Sequence, residues 1–430
     1  MMIGVGLAIP QVACRGGGRE STPLRVVTTQ NRVLSAASTS TGRSTQFGRW
    51  PVIIGQDSAD LIFSFNNWYI SATAETAGPV ELTLLEAALE NDGATVTVPI
   101  TFAGQRSLTI PVDAVDLQSD RLRPSSFSLD QFTRGEQYWL KLKIQTTAAG
   151  NAILSCERQT GGLTGSQCAW YDPAATTVSG VDTLGQFTTS GTAPASVIGG
   201  YVPLVLGHPL VDGPSFFAVG DSIAAGQGDG ATSAGRNGNG FVQRASHDAD
   251  GTSNPVSMIN FARQTTPYTA YNPYTRWLNF IQYARYAIEE GSTNDIGTSG
   301  AVSLSTIQSR VTTMWGLLRD GGAEKIIRTT LQPRTSSAST NWTSDADQTP
   351  ITGWALDGTR DQLNDWFEAK LADETIDAIA DMRPATESAT DPNKWVSTGA
   401  NDYATPDGIH PSAAIHEAMA VVLRSAMAGI

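Results

Sequence analysis

The spacing of apolar residues changes period near residue 214, and this constrains the fold more than any other feature of the chain. Upstream, short runs alternate apolar with polar residues. Phe63-Ser64-Phe65 and Trp68-Tyr69-Ile70 make one pair, and 80–85, 94–101, 108–112 and 138–144 follow. Asn91-Asp92-Gly93, Ala103-Gly104-Gln105 and Arg134-Gly135-Glu136 separate them as turns. A period of two with frequent turns predicts an all-β sandwich or jelly roll over 22–206, whose last strand, 201–206, follows a Gly/Thr/Ser/Ala-rich run. After a linker, 207–213, the pattern over 214–430 becomes strand and helix in alternation. Strands are predicted at 215–219, 256–261, 286–289, 325–330 and 376–380. Helices are predicted around Trp277, Phe280 and Ile281, then at 302–319, 359–371 and 412–427. Five strands with intervening helices predict a three-layer α/β sandwich on a five-stranded parallel sheet, with its site at the carboxyl ends of the strands. A length of 430 residues exceeds what one hydrophobic core serves, in keeping with two domains.

Charge and residue counts exclude several functions. A net charge of −13 argues against nucleic acid and against an anionic membrane surface, and suits a neutral or weakly charged substrate. No apolar run approaches the ~18 residues of a membrane span. The four histidines, His208, His247, His410 and His416, are scattered, and Cys14, Cys156 and Cys168 form no Cys-x-x-Cys pair. Neither a metal centre nor a cofactor is expected. His416-Glu417 opens like the zinc-protease helix motif but lacks its second histidine. Cys156 and Cys168 flank a Gly-rich loop, and either a disulfide or two free thiols fits that spacing. Residues 1–21 are apolar at first but lack the basic start of a secretory leader. They resemble docking segments of phage tail and fibre proteins, which would allow assembly into a larger particle; a disordered start is the other reading.

The chemistry lies at three places in the second half. Gly220-Asp221-Ser222-Ile223 ends the first α/β strand, Thr293-Asn294-Asp295 follows the third, and Asp407-Gly408-Ile409-His410-Pro411 precedes the last helix. A serine, a histidine and an aspartate are what nucleophilic acyl transfer requires. No Gly-x-Ser-x-Gly elbow occurs. The ordered blocks resemble those of the SGNH, or GDSL-type, hydrolases over residues 214–430. That resemblance implies Ser222 as nucleophile, His410 as general base and Asp407 as the carboxylate that orients it. It implies the Ser222 N–H and the Asn294 amide as oxyanion donors.

Two departures stand out. The family carries a glycine after the second strand, whereas no glycine occurs here between Thr252 and Glu290. The Arg263 N–H or the Gln264 side chain is the candidate replacement. Ser292 stands where the third block carries glycine. Gln264 and Tyr268 are candidate substrate contacts. Tyr268, Tyr271 and Tyr274 could form a sugar platform or pack inward, and Trp342, Trp354 and Trp395 pose the same choice. Asp221 and Asp295 read as loop braces, and His416 as a surface or supporting residue. The glycine-rich stretch Gly226-Gln227-Gly228-Asp229-Gly230, continuing through Gly235 to Gly240, reads as a mobile rim or as plain surface loop.

The resemblance implies a serine esterase removing acyl groups, O-acetyl foremost, from a polysaccharide or oligosaccharide. The β-domain is similar to the jelly-roll partners of some carbohydrate esterases, and the setting would be extracellular, secreted or virion-borne. The alternatives are a glycan-binding adhesion protein, such as a phage fibre or decoration component, with a weakly active or inactive hydrolase fold, and a lipid or general carboxylesterase.

Overall fold

The computed structural model describes residues 22–29, 31–156, 165–196, 199–230, 240–248, 253–297 and 302–430, with no side chains at 35–38. The N-terminal segment with Cys14, most of the Gly-rich loop between Cys156 and Cys168, and the rim residues 231–239 lie outside the described residues.

Six strands form one parallel sheet: β1 (Asn31–Arg32), β2 (Ser215–Val219), β3 (Ser257–Asn260), β4 (Tyr286–Glu289), β5 (Lys325–Thr329) and β6 (Ala378–Ala380). Their order across the sheet is β1-β3-β2-β4-β5-β6, and every pairing is parallel. The expectation of five strands is therefore corrected to six. The extra edge strand comes from the far N-terminal side of the chain. A buried polar dipeptide carries no period-two signal, so the pattern could not reveal it.

Alternation along β2 decides the layers. Phe217 and Val219 face one apolar cluster, and Phe216 and Ala218 face another. The first cluster is closed by a 3-10 helix, Trp277–Tyr283, and by α2 (Leu304–Asp320) and α3 (Thr359–Ala372). The second is closed by α1 (Phe241–Ala245) and α4 (Ala413–Ala428). The side chains of Ser303 and Ser412 accept backbone N–H groups at the starts of α2 and α4, capping both helices. No helix among the described residues is long and apolar enough to cross a membrane.

Upstream lies a β-rich region. A seven-stranded antiparallel sheet, including Thr45–Ile53, Leu82–Asn91 and Gln137–Thr146, faces a four-stranded one that includes Ile62–Phe65 and Leu204–Gly207. Phe63 and Phe65 from one and Leu84, Leu140 and Leu142 from the other share a core. Cys156 and Cys168 are free thiols, and burial pushes the Cys156 thiol up to about 12. The β-rich region also packs on the parallel sheet's helical layer. Trp68 lies 6.2 Å from Phe261 and 5.9 Å from Phe280 between ring centroids, and Glu75 accepts the N–H groups of Arg276 and Trp277.

Candidate active site

The chain leaves β2 at the point where the sheet order reverses, with β3 on one side and β4 on the other. A crevice at the strand ends is expected there. Residues 221–227 form a hydrogen-bonded turn in which Ala225 N–H donates to Asp221 O and Gln227 N–H to Ser222 O. Neighbouring strands hold this turn. Asn260 Nδ2 donates to Ala224 O at 3.0 Å, and the Arg32 guanidinium donates to Ala225 O at 3.2 Å. Asp221 Oδ1 accepts the Ile223 N–H, and the Asp221 N–H donates to Glu290 Oε2.

The turn presents Ser222, 3% exposed, with Oγ 3.0 Å from His410 Nε2. His410 Nδ1 lies 2.6 Å from Asp407 Oδ2, and Asp407 Oδ1 accepts the N–H groups of Ile409 and His410. Burial works to raise the Asp407 carboxyl, but the His410 hydrogen bonds outweigh it and hold the group at about 2. Ionised, Asp407 can only accept, so Nδ1 carries the imidazole proton. Nε2 is left to accept from the Ser222 hydroxyl. A hydroxyl, an imidazole and a carboxylate joined in this order can pass a proton from oxygen to nitrogen.

The His410 loop is tightly fastened. Gly408 O accepts the Thr335 N–H at 2.9 Å and Trp395 Nε1–H at 3.1 Å. Gly408 has φ +77°, and a Cβ there would lie 1.9 Å from Thr335 O, so only glycine fits. On the other side of the ring, Gly228 (φ +92°) leaves room for Pro411 O, which a Cβ would meet at 2.2 Å.

His416 belongs to the same assembly and corrects the surface reading. It is fully buried, its Nδ1 accepts the Phe241 N–H at 3.1 Å, and its Nε2–H donates to Gln227 O at 2.9 Å. Burial depresses it to about 4, so it is neutral near pH 7. Part of the glycine rim is thereby anchored: Gln227 is bonded to His416, and Asp229 to Arg244. Period alone could have flagged His416, because it shares a face of α4 with the buried Ala420, Leu423 and Met427.

The opposite side of Ser222 is built differently. Among the described residues the Ser222 N–H has no acceptor. Asn294 lies in a helical turn, Thr293–Ile296, partly buried, and its Nδ2 reaches Thr266 O only at 3.5 Å. Gly220, Thr266, Gly291 and Ser292 line one small cavity. The Arg263 N–H donates to Gly220 O at 3.1 Å, and its Nε to Ile70 O at 3.0 Å. As an oxyanion donor that N–H is therefore already spent, which overturns the expectation for Arg263. Gln264 is partly buried, and its carbonyl accepts the hydroxyls of Thr265 and Thr266.

Tyr268 is not a substrate platform. It is 3% exposed, its hydroxyl donates to Glu289, and its N–H donates to Asp295. Tyr271 is equally buried, with its hydroxyl on Gly220 O and Phe261 O, and Tyr274 packs against the core. Trp342, Trp354 and Trp395 are also buried, each donating its indole N–H within the protein.

Sequence reading missed the acid layer beneath the turn. Glu289 pairs with Arg328 at 3.1 Å, both fully buried. Burial raises Glu290 well above its ordinary value, with the Asp221 charge adding to the rise; Asp221 is raised by burial as well. The adjacent glutamates at the end of β4 were the available signal.

Residues 218–418 match the model of the GDSL-like lipase/acylhydrolase family. No curated protein matches the chain. Among solved structures, a GDSL-like lipase from Bacteroides thetaiotaomicron is 16% identical over 51% of this chain and 92% of its own, with a TM-score of 0.33. An acetylxylan esterase from Geobacillus stearothermophilus is 16% identical over 50% of this chain and 94% of its own, with a TM-score of 0.34. A Bacillus subtilis protein is 14% identical over 88% of this chain and 79% of its own, with a TM-score of 0.36.

Proposed function

We propose that this chain, whose residues 218–418 match the GDSL-like lipase/acylhydrolase family model, is a serine ester hydrolase that removes short acyl groups, acetyl foremost, from a carbohydrate. The observation that carries the reading is the unbroken contact from Ser222 Oγ through His410 to Asp407. Ser222 Oγ attacks the ester carbonyl while its proton passes to His410 Nε2. The carbonyl oxygen becomes an oxyanion, stabilised by the Ser222 N–H and the Asn294 amide. The tetrahedral intermediate expels the alcohol, which takes the proton from Nε2. Water then attacks the acyl-serine by the same route and releases the acid. Asp407 stays ionised throughout and holds the imidazole in one tautomer.

The carbohydrate half of the proposal draws support from placement. The Arg263–Ile70 bond sets the hairpin of Trp68–Ile70 and Glu75–Ala77 beside the loop that follows β3, at the catalytic end of the sheet. A sugar chain held at this hairpin would lie at the catalytic end of the sheet.

Hydrolysis of 4-nitrophenyl acetate by the full chain and by Ser222→Ala tests the chemistry; equal rates would end the reading. Acetate release from acetylated glycans, set against cleavage of long-chain esters, tests the substrate class.

A further inference from the structure

Arg334 follows β5 at the catalytic end of the sheet, and the chain around it touches both sides of the Ser222 cleft. The next residue, Thr335, donates its N–H to Gly408 O in the His410 loop. On the other side, the Arg334 guanidinium lies over the Trp354 ring, 6.0 Å from its centroid, and Trp354 Nε1–H donates to Gly297 O at the end of the Asn294 turn. Arg334 is partly buried, yet its side chain has no hydrogen bond or ion pair among the described residues. Every other described arginine that is not exposed holds a carboxylate or a backbone carbonyl. Burial depresses Arg334 below the usual arginine range, and Asp221 and Asp407 supply the negative charges that oppose this. Asp407 is committed to His410 and Asp221 Oδ1 to the Ile223 N–H, and although Asp221 Oδ2 has no hydrogen-bond partner among the described residues, Arg334 makes no ion pair with it.

A partly desolvated guanidinium without an anion is an incomplete pair, since its planar fork of donors matches a carboxylate. We propose that Arg334 is a specificity-determining residue that receives a carboxylate carried by the ester substrate. This rests on the ester-hydrolase reading and narrows its substrate class to acidic esters. The chain's net charge of −13 disfavours a densely anionic polymer, so the subsite suits a single carboxylate near the scissile bond. That carboxylate could sit on the alcohol side, as in a uronic acid, or on the acyl side, as in a dicarboxylic half-ester.

Two matched pairs separate these sources. One is acetylated methyl glucuronoside against acetylated methyl glucoside. The other is mono-4-nitrophenyl succinate against 4-nitrophenyl butyrate. The full chain should favour the acidic member of one pair by about tenfold or more in kcat/KM at low salt, with the preference shrinking as salt is added. Arg334→Gln should abolish the ratio, and Arg334→Lys should keep part of it. If Arg334→Gln fails to fold, inhibition of wild-type 4-nitrophenyl acetate hydrolysis serves instead: glucuronate or succinate should inhibit more strongly than glucose. A wild type that cleaves the neutral esters but shows no preference in either pair overturns the inference alone, as does a preference retained in Arg334→Gln. A Ser222→Ala variant as active as wild type overturns the hydrolase reading, and this inference with it.

Discussion

The two sides of Ser222 solve the same backbone problem in different ways. On the His410 side, the chain turns through left-handed conformations at Gly226, Gly228 and Gly408, where glycine adopts them freely. On the Asn294 side it does so at Thr265 (φ +61°) and Ser292 (φ +85°). Side-chain-bearing residues in that region cost on the order of 1–2 kcal/mol each. The imidazole side is also dense in hydrogen bonds, whereas among the described residues the Asn294 side chain has one long contact at 3.5 Å. At these positions the proposed proton-transfer side turns on glycines and is densely bonded, whereas the proposed charge-stabilising side turns on residues with side chains and is lightly tethered. Strain held at a functional site implies that the surrounding packing supports it.

Breaking the imidazole side should have the largest effect. His410→Ala and Asp407→Asn should each lower kcat for 4-nitrophenyl acetate by about 10³–10⁴-fold, the second by stabilising the wrong tautomer. A loss under tenfold in either would mean that the contacts at 3.0 and 2.6 Å are not the working ones. On the other side, Asn294→Ala should lower kcat by about 10²–10³-fold with KM little changed, the pattern of a donor used mainly in the transition state. If KM rises and kcat holds, Asn294 binds substrate instead, and the comparison loses its second half.

The candidate site was more legible in the sequence than its supports. Ser222, Asn294, Asp407 and His410 each stand in a short motif at a strand end or ahead of a helix, and the resemblance of those motifs to a known family singled them out as candidates. The supports are long-range. Arg32 reaches Ala225 from a two-residue strand nearly two hundred positions upstream, and no periodicity marks it. Tyr268 looked available for a sugar because exposed and buried tyrosines have the same pattern in a loop. Only the fold shows its hydroxyl turned onto Glu289. Arg263 failed for a related reason, because a backbone N–H can be assigned only once its acceptor, here Gly220 O, is in place. The missing glycines, by contrast, were visible, and the structure has positive φ at Thr265, in the stretch that lacks one, and at Ser292.

His416 sharpens the comparison on the imidazole side through pH. Unfolded, it takes up a proton near 6.5; folded, only near 4. Between those values the unfolded chain binds more protons, so this contribution to stability is complete above about pH 6.5 and declines as pH falls towards 4. The full loss is on the order of 3 kcal/mol. His416→Gln can still donate to Gln227 O but does not titrate. Denaturant unfolding at pH 7.5 and 4.5 should therefore show a smaller stability loss in the variant than in wild type. Equal losses would mean that His416 does not hold the rim in its neutral form. Asp407 acts lower: its contribution is present above its ordinary 3.8 and is lost as pH falls towards about 2.

The smallest expected effect is also the most direct test of the strained side. Ser292→Gly places glycine at φ +85° and should relieve about 1 kcal/mol of backbone strain. Glycine also loosens the unfolded chain by about 0.4–1 kcal/mol, so the net gain is at most a few tenths. Ser292→Val, β-branched at the same φ, should be destabilised by more than about 1 kcal/mol. The informative quantity is the ordering, Gly at or above Ser and Ser well above Val, measured as unfolding midpoints in denaturant. If all three are equal, residue 292 does not hold its left-handed conformation in solution, and the contrast between a relaxed and a strained side of Ser222 collapses. If the ordering holds and Ser292→Gly keeps kcat within about twofold, the strain is tolerated by the Asn294 turn rather than used by it.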